Sequence, residues 1–151
     1  MMDTPRSRYQ HATALVIGET GLLILGESGA GKSALADRLI AEAEPRGLFA
    51  ALVGDDRVAV TPRHGRLIAS GHPDIAGQIE RRGEGIGPVR HVASAMLGLI
   101  ILLENAPERW PETAFLTLEG LSLPVLRLRA DDDAVARTHR VFDRIATHAG
   151  D

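Results

Sequence analysis

The stretch Leu22-Leu23-Ile24-Leu25-Gly26-Glu27-Ser28-Gly29-Ala30-Gly31-Lys32-Ser33 runs from an apolar, strand-like pattern straight into a glycine-rich loop. Gly26 to Ser33 fits G-x-x-x-x-G-K-[ST] at every fixed position. Glycines in such a loop let the backbone turn its N–H groups toward an anion, and the helix that follows aims its positive end at the same point. Gly26, Glu27, Ser28, Gly29, Ala30, Gly31, Lys32 and Ser33 therefore read as a cradle for nucleotide phosphates. Lys32 would reach the β and γ phosphates, and the Ser33 hydroxyl would ligate Mg²⁺. Lys32 is the only lysine among the 17 Lys and Arg residues, which marks a compact ammonium as the cation needed there. Beyond the loop, Leu35, Leu39, Ile40 and Ala43 recur at helical spacing until Pro45-Arg46-Gly47 stops the helix.

Working outward, Ala12 to Ile17 is a second strand-like run joined to the first by the turn Gly18-Glu19-Thr20-Gly21. Residues 1–10 read as a loose tail. Downstream, Ala50 to Val53 forms a buried strand that ends at the acidic pair Asp55-Asp56. Arg57 to Thr61 pairs with Arg66 to Ser70 across the turn Pro62-Arg63-His64-Gly65, which is not how a doubly wound sheet continues. Gly71 to Pro88, rich in Gly, Pro and charge, reads as a functional loop. Leu97 to Leu103, Phe115 to Leu118 and Leu121 to Leu128 supply further strands, and Asp131-Asp132-Asp133 offers an N-cap for a final helix over 134–148. The fold class is α/β: a P-loop core of mixed β-sheet with hairpins and flanking helices.

With 151 residues and 44% hydrophobic content, the chain can bury one proper core, so 1–151 reads as a single domain. A net charge of −3 without a basic stripe argues against nucleic-acid partners. The absence of cysteine excludes a disulfide framework, thiolate metal sites and cysteine nucleophiles. The polar start lacks the apolar core of a signal peptide, and Ala95 to Leu103 falls well short of the roughly 20 residues that span a bilayer. The expected setting is the cytoplasm, with no membrane partner.

Asp55 and Asp56 follow the strand after the P-loop helix, where carboxylates face Mg²⁺ and phosphates. Two adjacent carboxylates invite a division of labour, one holding metal-bound water and the other accepting a proton from an attacking hydroxyl. Glu80-Arg81-Arg82-Gly83-Glu84-Gly85-Ile86-Gly87 could bring an arginine fork to phosphate and a carboxylate to the metal. His11 stands one residue before the first strand. His64, His72, His91, His139 and His148 show no metal-ligand spacing with one another, and Arg137, Arg140 and Arg144 share one face of the last helix, read as solvated.

Taken together, these residues resemble the catalytic domain of the HPr kinase/phosphorylase family. That family is similar in having a histidine before a strand hairpin, then G-[ED]-S-G-x-G-K-S, an Asp-Asp pair after one helix, and an E-x-R-G-x-G-I signature. The matching residues are His11, Gly26 to Ser33, Asp55-Asp56, and Glu80, Arg82, Gly83, Gly85 and Ile86, within a resemblance running from about His11 to Pro124. It implies Mg²⁺-dependent transfer of the ATP γ-phosphoryl group to a seryl hydroxyl of HPr, a phosphocarrier protein of the phosphotransferase system, and a reverse phosphorolysis. Asp56 would be the proton acceptor and Lys32 a catalytic phosphate contact. Glu80 would join Ser33 at the metal, and Asp55, Arg82 and His11 would support the phosphates and the acceptor. A minimal catalytic-domain form and a homo-oligomer, hexameric in longer members, are also implied. The chain departs from the family at Ala34, where a glutamate is usual, at Arg81 and Glu84, where apolar residues are expected, and at Arg129 to Asp133. Two other readings stay open: a kinase of the same fold with another acceptor, and a nucleotide-binding regulator with little turnover.

Overall fold

Uninterrupted apolar runs at 22–25 and 97–103 need cover on both faces, so they belong in the middle of a sheet. The computed structural model, which describes residues 9–81, 83–105 and 114–149, puts them there, side by side and parallel. In chain order the strands and helices are β1 (Tyr9–Gln10), β2 (Thr13–Ile17), β3 (Thr20–Gly26), α1 (Lys32–Ala43), β4 (Ala50–Gly54), β5 (Val58–Arg63), β6 (Arg66–Gly71), β7 (Gln78–Arg81), β8 (Gly85–Pro88), β9 (Ser94–Glu104), β10 (Ala114–Leu118), β11 (Leu121–Arg129) and α2 (Ala134–Ala149). A nine-stranded sheet follows the order β1-β5-β6-β9-β3-β2-β4, with β11 beside β9 and β10 beside β11. The strands β3, β9 and β11 are parallel, whereas β2 runs against both β3 and β4. The fold is mixed α/β, as the sequence predicts.

Two apolar layers flank the sheet. On one face Leu15, Leu22, Ile24, Ile101 and Leu128 pack against Leu35 and Leu39 of α1 and Val141, Phe142 and Ile145 of α2. On the other, Leu23, Val53, Val60, Leu67 and Ile100 form a second cluster beneath the β5–β6 hairpin. Each fully buried Leu or Ile contributes about 1.5–3 kcal/mol. The register slips where Gly21 pairs with Leu97 but Leu22 pairs with Leu99. Gly98 is the extra residue, and this bulge sends Leu97 to the second cluster while Leu99 joins the first. The arms of the sheet curl until β4 touches β6. A Cβ on Gly71 would stand 2.3 Å from the Val53 carbonyl oxygen, so only glycine allows that approach.

Several boundaries differ from expectation. Tyr9 and Gln10, placed in the loose tail, pair with Ala59 and Val58; residues 1–8 lie outside the described residues. Pro62 is in β5 opposite Leu67, and the turn is His64-Gly65, with φ of 52° and 77°. Arg63 and Arg66 flank that turn and exchange its hydrogen bonds, so Pro62 nitrogen points away from β6 and its missing N–H breaks no bond of this pair. Segment 71–88 is no irregular loop. It holds a short 3₁₀ turn at Pro73–Ile75 and the antiparallel hairpin β7–β8, anchored by Ile79, which is buried.

Candidate functional site

Strand direction gathers the site. β3, β4, β9 and β11 all finish on one edge of the sheet and β2 begins there, so 11–13, 27–31, 55–56 and 130–133 converge. Open α/β sheets bind ligands beyond the carboxyl ends of their strands. Here that region is a cleft of about 890 Å³ lined by the glycine loop, Thr13, Asp55, Asp56, Glu80, Arg81 and Arg137.

The loop owes its shape to Gly29 and Gly31, whose φ of 85° and 98° disfavour any residue with a Cβ. Gly31 caps α1 without a side-chain hydrogen bond, and the first turn of the helix holds no acidic residue. Its leading N–H groups therefore meet the cleft with no carboxylate of their own helix to neutralise them. Lys32 Nζ donates to the carbonyls of Gly26 at 2.9 Å and Glu27 at 3.1 Å, which keeps the ammonium at the loop.

Asp55 is the hub beneath it. The carboxylate is buried, and Oδ1 accepts hydrogen bonds from Thr13 Oγ1 at 2.8 Å and Ser33 Oγ at 2.6 Å. Oδ2 accepts from the Glu80 backbone N–H at 3.2 Å. Burying an unpartnered carboxylate is costly, and three donors offset that here. One side chain thereby ties together β4, β2, α1 and β7. Thr13 is absent from the residues singled out in the sequence, because a threonine opening a strand carries no mark of its partner across the sheet.

Asp56 points the other way, into solvent. It adopts the left-handed region at φ 69°, which aspartate tolerates better than most residues. Its Oδ1 lies 3.2 Å from His11 Nδ1, and both side chains are largely exposed at the rim. Glu80 lines the cleft, but its contact with Asp55 runs through the backbone rather than the carboxylate. Arg82 lies outside the described residues.

Next to it, Arg81 is held in a fork by Asp37 of α1, with Nε at 3.0 Å and Nη2 at 3.1 Å, and also donates to the Pro88 carbonyl. The hydrogen bond to Asp37, and then the charge of that carboxylate, raise Arg81 above the usual guanidinium range. The fork pins the β7–β8 hairpin to the helix that follows the glycine loop. Arg137 of α2, expected on a solvated face, instead lines the cleft, with Nη1 4.0 Å from a Cβ placed on Gly31.

The oxygen set suits Mg²⁺. Ser33 Oγ and Asp55 Oδ1 put two hard donors side by side at the loop, and Mg²⁺ typically takes one or two carboxylates with substrate phosphates and water. The structure joins Ser33 to Asp55 rather than to the Glu80 carboxylate. Among the described residues no group of three or more His, Cys, Asp or Glu side chains forms a metal cluster. Nor is any helix among them long and apolar enough to cross a membrane.

Fold and cleft define a class first: an α/β domain whose glycine-rich loop joins a buried parallel strand to a helix at the carboxyl edge of the sheet. The model of the HPr Serine kinase C-terminal domain matches residues 4–98, and the chain belongs to that family. It is 42% identical over 77 residues to the HPr kinase/phosphorylase of Mycoplasma mycoides subsp. mycoides SC, a match covering 51% of this chain and 23% of that protein's length. It superposes on the Hpr(Ser) kinase/phosphatase of Coxiella burnetii with a TM-score of 0.76 and 26% identity, over 93% of this chain and 98% of that one.

Proposed function

We propose that this chain is an ATP-dependent protein-serine kinase that phosphorylates a seryl hydroxyl of an HPr-type phosphocarrier. One observation carries the reading: an exposed carboxylate, Asp56, stands at the rim of the cleft that holds the glycine loop, Lys32 and Ser33. A base that serves a protein substrate must be reachable from outside, whereas phosphate-binding groups work best sunk in the cleft.

In this reading the loop amides and Lys32 bind the β and γ phosphates. Ser33, itself oriented by Asp55, would hold Mg²⁺ with that carboxylate, and the ion supplies neutralisation of phosphate charge when bound. Asp56 accepts the seryl proton as the seryl oxygen attacks the γ phosphorus, and the bond from phosphorus to the ADP oxygen breaks in line. His11 orients Asp56. Arg82 would support the phosphates. Family membership and the likeness to proteins named HPr kinase/phosphorylase and kinase/phosphatase support the choice of acceptor.

The test is transfer of labelled phosphate from ATP and Mg²⁺ to purified HPr. Transfer by the native chain and its loss in Lys32→Ala are expected; no transfer, or equal transfer by that variant, overturns the reading. Incubating phosphorylated HPr with inorganic phosphate and looking for pyrophosphate checks the reverse reaction. The same reading has the chain working as a homo-oligomer, a hexamer by likeness to longer members, and light scattering on the native chain checks that point. Ala34 leaves the cleft without a carboxylate directly after Ser33, which favours a second reading, a nucleotide-binding regulator. It predicts ATP binding with no labelled HPr.

A further inference from the structure

The cleft holds three cations among the described residues, and their commitments differ. Lys32 is bound to the carbonyls of its own loop. Arg81 is neutralised by the Asp37 fork. Arg137 has no carboxylate partner among the described residues. Its Nη1 donates to the Ala130 carbonyl at 2.8 Å, and its Nε is buried with no hydrogen-bond acceptor among the described residues. The same Nη1 would lie 4.0 Å from a Cβ placed on Gly31, the residue that caps α1. A guanidinium is thus parked beside the loop amides, with its charge unanswered.

A desolvated guanidinium donor without an acceptor is costly unless a ligand provides one. The obvious neutralising candidates are engaged elsewhere. Asp131 is forked to Arg129, and Asp133 caps α2 through the Val135 N–H. Asp55 already accepts three hydrogen bonds. An anion with several oxygens would answer the Arg137 guanidinium, whose planar fork suits phosphate.

We infer that Arg137 is a phosphate-binding residue, delivered by α2 to the polyphosphate at the Gly31 end of the loop. This rests on reading the cleft as a nucleotide-phosphate site. Arg137 does not transfer a proton; it adds positive charge and a donor that the loop, whose lysine is curled back, does not supply at that position. α2 thereby becomes part of the binding site as well as cover for the sheet.

The experiment measures affinity for Mg²⁺-pyrophosphate and Mg²⁺-ATP by isothermal titration calorimetry, together with the ligand-free melting temperature. Pyrophosphate isolates the group that Arg137 would read. Arg137→Gln, which keeps an amide donor, should weaken both ligands by about tenfold or more, as loss of a charged hydrogen bond does. Arg137→Lys should recover part of that loss. Arg140→Ala, an equal charge change on the exposed side of the same helix, should alter affinity by less than about threefold. Unchanged affinity in Arg137→Gln overturns the inference, and so does an equal loss in Arg140→Ala, which would reduce the effect to a general field. Should Arg137→Gln fail to fold, Arg137→Lys decides alone: a weakened affinity at unaltered melting temperature supports the contact, and native affinity overturns it. A native chain that binds neither ligand removes the nucleotide reading of the cleft itself, and this inference with it, whereas native binding with an indifferent Arg137 removes only the latter.

Discussion

Asp55 and Asp56 are neighbours in sequence and opposites in environment, and the proposed reaction divides its work along that contrast. Asp55 is buried among three donors, whereas Asp56 is exposed beside His11. Asp56→Asn should therefore lower phosphotransfer by about a hundredfold or more while leaving ATP affinity unchanged, measured by labelled transfer and calorimetry. Asparagine is the right replacement, since it also tolerates the left-handed backbone at φ 69°. Thr13→Val removes a donor from a buried carboxylate at nearly constant volume, and chemical denaturation should show a loss of about 1–3 kcal/mol. The acidic pair was legible in the sequence because two charges after a buried run stand out. Thr13 was not, since its partner is set by the antiparallel register of β2 on β4. Arg137 was hidden for a related reason: helical spacing groups it with Arg140 and Arg144 but does not say how α2 is rotated against the sheet.

The elements most plainly written in the sequence are those whose burial is continuous: the strands around 22–25 and 97–103, and the two helices with their apolar stripes. The β7–β8 hairpin is hard to read in the sequence because its buried apolar anchor is Ile79 and, among the described residues, its strands pair with each other, so glycine and charge dominate the segment. A charged fork helps attach it to the rest. Arg81 stands where the family resemblance calls for an apolar residue, and Asp37 answers it from α1. The ion-pair fork adds to the apolar anchor that Ile79 makes in the core. Asp37→Ala and Arg81→Ala should each speed amide exchange within β7–β8 and leave exchange in β3 and β9 unchanged, with the double variant no worse than either single one. Additive effects in that cycle would show that the two side chains do not act as a unit. Because the Glu80 N–H reaches Asp55 from the same hairpin, loosening the fork should also weaken Mg²⁺-ATP binding.

At the scale of the molecule, the cleft draws on nearly every layer: the loop after β3, the end of β4, the β7–β8 hairpin and the first turn of α2. A ligand that bridges these elements stabilises the folded chain as a whole, because the unfolded chain has no such convergence to offer it. Mg²⁺-ATP at about 100 times its dissociation constant should add about 2.7 kcal/mol to the unfolding free energy. For a chain of 151 residues that corresponds to a rise in melting temperature of roughly 5–10 °C, readable by calorimetry or dye-based thermal shift. Lys32→Ala should lose most of the rise without a large change in the ligand-free melting point, since among the described residues Nζ bonds to carbonyls of its own loop. Asp56→Asn should keep the whole rise, since that carboxylate is exposed at the rim of the cleft and in the proposed reaction serves the acceptor. The pairing of outcomes separates binding from chemistry: a chain stabilised by Mg²⁺-ATP yet inert toward HPr would have the cleft without the acceptor, and one that Mg²⁺-ATP does not stabilise would have neither.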